Sequence, residues 1–174
     1  MPKVIAVIIE LAIFVFALWV LAFLSFFLHE FGHAIGYMVA TGDRHWNVRV
    51  GWGKNLLKTK GLTVGLVPLD GFFKPAEGGK ADTTSKLIAM LLGGPIASLV
   101  LVIGLAVLKF GAIAINSEII ASGAIESLIS IAFFFNVFIL VLSVIPTHYF
   151  FGEVKGLETD GLQIVNVIRS QRRG

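Results

Sequence analysis

The chain contains no cysteine. That excludes a disulfide framework, a thiolate nucleophile and any zinc–thiolate site, so a bound metal would have to be held by histidine and carboxylate. Charge is scarce as well. Only 14% of residues are charged, against about a quarter in ordinary soluble domains. Hydrophobic residues make up 56% and the mean hydropathy is +0.89, which indicates an integral membrane protein. The net charge of +3 is too modest to suggest a nucleic-acid partner. Internal repeats and low-complexity linkers are missing too, and 174 residues fit one compact domain, residues 1–174.

What is present is three apolar runs, at about residues 4–28, 87–108 and 127–147. Each reaches the roughly 20 residues needed to span a bilayer. The first is interrupted only by Glu10, which suits an outer interface. It is too long for a signal-peptide core of about 7–15 residues, and no small-residue cleavage site follows it.

Arg44, Arg49, Lys54, Lys58, Lys60, Lys74, Lys80 and Lys86 lie between the first two runs, and Lys155, Arg169, Arg172 and Arg173 lie in the tail. The second turn, after Lys109, carries Glu118 and Glu126. The positive-inside rule then places the N-terminus outside and the first connection inside. The tail, about 148–174, is expected to be cytoplasmic, with Arg172 and Arg173 anchoring it to acidic lipid.

The first connection alternates at Val48-Arg49-Val50 and Leu62-Thr63-Val64 between glycines, which predicts one or two β-hairpins over about 44–74. Trp46 and Trp52 suit an interface. Pro68 predicts that the second strand ends there or lies at an edge. A short tail helix is predicted over 159–169, capped by Thr159 or Asp160.

The chemistry is concentrated in His29-Glu30-Phe31-Gly32-His33, at the end of the first run. Two histidines four apart share one helix face and can hold one zinc. Glu30 follows the first of them and is placed to take a proton from the attacking water rather than to bind metal. Such a cluster at membrane depth usually persists for function. Leu11 to His29 covers about 27 Å of helix, which puts the histidines near the inner edge of the hydrocarbon. Catalytic zinc normally takes three protein ligands. The spacing leaves Asp160, Asp70, Asp43, His45 and His148 open as the third, although a surface position suits the two histidines better. Gly93-Gly94-Pro95 with Ser98 reads as close helix packing beside the site.

Three groups of residues resemble the site-2 protease family of intramembrane zinc metalloproteases, in a compact form without PDZ or CBS domain. They are the His29–His33 motif, then Val67–Lys74 followed by Leu92–Ser98, and last Asn136 and Pro146 followed by Glu158-Thr159-Asp160-Gly161. The resemblance covers about Leu18 to Val167 and implies an α-helical polytopic membrane fold. That fold has three core transmembrane helices and a membrane-associated β-hairpin inserted between the first and second. It implies one Zn2+ per chain, with His29, His33 and Asp160 as ligands and Glu30 as the catalytic base. Asn136 would bind substrate or stabilise the transition state.

The implied partners are a membrane-anchored protein or peptide substrate, the lipid bilayer and a regulatory membrane protein. The expected setting is a prokaryotic cell membrane, with the site near its cytoplasmic face and a role in regulated proteolysis. An extended segment near Val64–Leu69 is expected to add substrate to a sheet edge. The alternative reading is a non-catalytic client-binding relative, which intact His29, Glu30 and His33 disfavour. A metal transporter would need polar residues at several depths, which the second and third runs lack.

Overall fold

The computed structural model describes residues 3–76, 78–114, 123–150 and 152–172, so Glu118 and Arg173 lie outside the described residues. In chain order the elements are α1 (Lys3–Thr41), β1 (Trp46–Lys58), β2 (Leu62–Pro75), α2 (Thr84–Ala114), α3 (Gly123–Val144) and α4 (Asp160–Gln171). The first three helices are each long and apolar enough to cross a membrane.

The first helix runs well past the end of the apolar run at residue 28 and carries the His29–His33 motif in its interior. Its N-terminal half is apolar apart from Lys3 and Glu10, and Val4, Ile8, Leu11 and Phe16 stay exposed among the described residues. Its C-terminal half is buried instead, on a stripe formed by Ser25, His29, Gly32, His33 and Tyr37 with Glu30 beside it. Those positions recur every three or four residues, as one helix face requires.

Small residues determine how α2 docks on that face. A Cβ at Gly93 would run into the Gly32 carbonyl, and a Cβ at Gly36 into the Ala89 carbonyl. The two backbones are therefore in contact, the usual result of small residues between apolar helices.

The hairpin rides on another face of α1. Phe16, Trp19, Phe23, Phe27 and Phe31 stack in sequence along the helix. Phe31 meets Trp46 edge-on, and the cluster closes over Ala34, Val48 and Val50. Trp46 is thus packed into the hairpin's core, whereas Trp52 is exposed. The Trp19 indole donates to Leu66 O at 2.7 Å and ties the hairpin to the helix.

The antiparallel pairing is double. Val48, Arg49 and Val50 pair with Phe73, Phe72 and Gly71 on one side and with Leu62, Thr63 and Val64 on the other. This accounts for the near-complete burial of Val48 and Val50. The second strand therefore does not end at Pro68. It bends there, between the Trp52–Val67 and Val50–Gly71 pairs, where no ladder bond asks for the missing N–H.

Candidate active site

His29 and His33 project from α1 toward α2 and α4. Their rings lie 5.0 Å apart and nearly perpendicular. Each outer nitrogen is oriented by α2. His33 Nδ1 lies 2.9 Å from Met90 O, a group that can only accept, so Nδ1 carries the proton and Nε2 keeps its lone pair. The Gly94 N–H also faces this nitrogen, at 3.3 Å, but the shorter carbonyl contact sets the tautomer. Pro95, just beyond, has no N–H to bond within the helix and loosens this turn of α2. His29 Nδ1 lies 2.8 Å from Ser98 Oγ. Gly94 forms the ceiling, because a Cβ there would strike His33 Nε2 and fall 2.8 Å from His29 Nε2.

The third member comes from α4. Thr159 caps this helix, reaching Ile145 O at 2.7 Å and Thr147 O at 2.9 Å. Gly161 packs so tightly on the Val144 carbonyl at the end of α3 that a side chain would not fit. These two residues deliver Asp160 to the histidines. Its Oδ2 stands 3.2 Å from His29 Nε2 and its Oδ1 3.4 Å from His33 Nε2.

These three buried residues form the group able to hold a metal among the described residues. Asp160 Oδ2 is buried without a hydrogen-bond partner, and it faces imidazole nitrogens whose lone pairs point the same way. Such an arrangement calls for a cation at its centre. Two ligands of one tetrahedral zinc stand about 3.4 Å apart, given bonds of about 2.0–2.2 Å. The donor set and its spacing therefore fit zinc.

Glu30, one residue beyond His29, is buried against Gly71 of β2, where a Cβ would come within 2.6 Å of Glu30 Oε1. Two cavities meet at this carboxylate. One, of about 30 Å³, reaches Phe26, Ile139 and Leu142. The other, of about 120 Å³, opens past His33, Phe73 and Asp160. Both are walled by His29, Glu30, Gly71, Tyr149 and Val154. The stretch of β2 lining them is Asp70–Phe73, with Asp70 on the smaller cavity and Phe72 and Phe73 on the larger, and the Val64–Leu69 segment lines neither.

The other candidate ligands are not part of this group, although Asp70 lines the smaller cavity beside Glu30. Asp70 accepts the Glu153 N–H at 2.8 Å and packs against Gly152, and burial pushes its carboxyl up. Asp43 is bound by Tyr37 and His45 at 2.7 Å each, and those hydrogen bonds lower it. His45 and His148 are exposed. Asn136 is buried in α3, and its amide nitrogen donates to Ser25 Oγ at 2.9 Å and to Ala132 O at 2.8 Å. The carbonyl partner fixes the amide's orientation and leaves Oδ1, an acceptor, as the free atom. Asn136 thus ties α3 to α1 and lines neither cavity.

The model for peptidase family M50 matches residues 14–114, more than half of the chain. The chain belongs to that family. M50, the site-2 protease family, consists of zinc metallopeptidases, and the match spans the His29–His33 helix, the hairpin and α2. No curated protein matches the chain. Sequence reasoning took Gly94 and Ser98 as packing, and the M50 match does not assign them a role. Their spacing, one helical turn apart on α2, was the available sign that both face the histidines.

Proposed function

We propose that this M50 chain is an integral membrane zinc endopeptidase. Its reaction is hydrolysis of a peptide bond in or near the transmembrane segment of a membrane-anchored protein or peptide, in regulated proteolysis. The observation that carries the reading is the convergence of His29 Nε2, His33 Nε2 and the Asp160 carboxylate beside a buried Glu30 at the junction of two cavities. The exposed apolar N-terminal half of α1 supports placement in a bilayer. In this reading the N-terminus is outside and the site opens near the cytoplasmic face.

His29, His33 and Asp160 would hold the ion, which when bound supplies Lewis acidity for the scissile carbonyl and acidifies the attacking water. Glu30 takes a proton from that water as its oxygen bonds to the carbonyl carbon. The C–N bond then breaks, and Glu30 passes the proton to the leaving amine. The absence of a side chain at Gly71 is what leaves space for Glu30 there. Met90 O and Ser98 keep the imidazole lone pairs aimed inward.

The test is elemental zinc analysis in detergent beside cleavage of a transmembrane peptide library. Wild type should carry about one zinc per chain, by its three-ligand set. Asp160→Ala should lose most of it. Glu30→Gln should retain zinc and lose cleavage by at least about 10²-fold. A zinc-loaded wild type that binds clients without cutting them, with Glu30→Gln binding them equally well, would reduce the chain to a non-catalytic holder of the same fold.

A further inference from the structure

Hydrolysis of an amide places negative charge on the carbonyl oxygen, and a donor aimed at that oxygen is worth about 10²–10³ in rate. The side chains around the cleft are largely committed. Asn136 spends its amide nitrogen on Ser25 and Ala132. The Ser143 hydroxyl goes to Leu140 O at 3.0 Å, and the Gln163 amide to Glu158 O at 3.0 Å. Tyr149 differs. It lines both cavities beside His29 and Glu30, and its phenol has no hydrogen-bond partner among the described residues.

We propose that Tyr149 is a further catalytic residue, whose phenolic O–H donates to the scissile carbonyl oxygen as that oxygen becomes negative. The assignment rests on the peptidase reading above.

Its backbone is held for the purpose. The Tyr149 N–H donates to Leu157 O at 2.9 Å, and the Gly156 N–H returns to Tyr149 O at 2.8 Å. Asp70 accepts the Glu153 N–H, and Arg49 pairs with Glu153 at 2.9 Å, so the hairpin fixes the segment from outside. A phenol keeps its proton at neutral pH and so is able to donate. The proton remains on Tyr149 throughout; Glu30 carries the one that is transferred.

The experiment uses the full-length, zinc-loaded protein in detergent and a fluorogenic transmembrane peptide that wild type cuts. Tyr149→Phe keeps the ring and should lower kcat about 10²-fold, with KM and zinc content unchanged. Its affinity for a phosphinate analogue of the cut peptide should fall by a similar factor, while affinity for the cleaved product peptide stays the same. Wild-type kcat and phosphinate affinity in Tyr149→Phe, with Glu30→Gln inactive, would overturn the role of Tyr149 and leave the peptidase reading intact. A zinc-loaded wild type that cuts no peptide would overturn both.

Discussion

A single methyl group at Gly94 tests the architecture of the site more sharply than removal of a ligand. In Gly94→Ala the new Cβ would fall 2.6 Å from His33 Cε1 and 2.8 Å from His29 Nε2. Ordinary contact begins near 3.5 Å, so the His29 ring must yield by about 0.7 Å and the His33 ring, whose Nε2 lies nearer still, by more than about 0.9 Å. Metal–ligand distances tolerate only about 0.2 Å. Retreat of α2 is no escape, because its backbone touches α1 at Gly32 and Gly36 and would leave a void along that contact. Zinc affinity should therefore fall by at least about 10²-fold, beyond the 10–100-fold typical of losing an outer-shell partner. Stability should fall by about 1–3 kcal/mol from overpacking. Competition against a chromophoric zinc chelator in detergent reads the first quantity, and thermal unfolding with and without chelator reads the second. Gly104→Ala on the same helix is the control, since nothing lies within 4 Å of a Cβ there. If Gly94→Ala kept wild-type zinc affinity and unfolding midpoint, α2 would not be the ceiling over the two imidazoles.

Two further perturbations probe the supports of the site. Ser98→Ala strips the partner from His29 Nδ1, and zinc should bind about 10–100-fold more weakly by the same chelator assay. No side-chain replacement can do the same to His33, whose partner is a backbone carbonyl, so full affinity in Ser98→Ala would mean that α2 orients only one ligand. Asp70 tests the electrostatics of the hairpin. Burial raises its folded-state carboxyl, so its contribution to stability is present at low pH and is lost as pH rises through the folded value. Asp70→Asn keeps an acceptor for the Glu153 N–H and removes that loss. It should become progressively more stable than wild type from acid toward neutral pH, with the two converging at low pH. A pH-independent difference in unfolding midpoint would show that the Asp70 charge is already compensated.

How much of this was legible in the chain depended on how local each feature is. His29, Glu30 and His33 lie within two helical turns, so their shared face follows from the 3.6-residue period. Asp160 reaches them across more than a hundred residues, and the motif order that pointed to it carries no distance. What brings it there is the cap at Thr159 and the bare Gly161 under Val144 O, a packing fact visible only in three dimensions. The motif reads as helical, but hydropathy marks only the apolar run to residue 28 and carries no sign of where α1 ends. A helix needs no lipid once its polar face has a partner, and α2 supplies that partner as far as Gly36. Pro68 reads as a strand end or an edge position, and the edge is what the two-stranded sheet provides: the ladder changes sides there, so the missing donor is not needed.

The orienting groups were the hardest to see. Met90 acts through its carbonyl, which every residue possesses, so its side chain carries no sign of the role. Tyr149 lies in an irregular segment where no period applies, and its place beside Glu30 depends on Asp70, Arg49 and Glu153 holding that segment against the hairpin. The ligands of this site are therefore written in local pattern, while their aim is written in contacts between elements. Substitutions at Gly94 and Ser98 should accordingly separate metal affinity from ligand identity, which no substitution of His29, His33 or Asp160 can do.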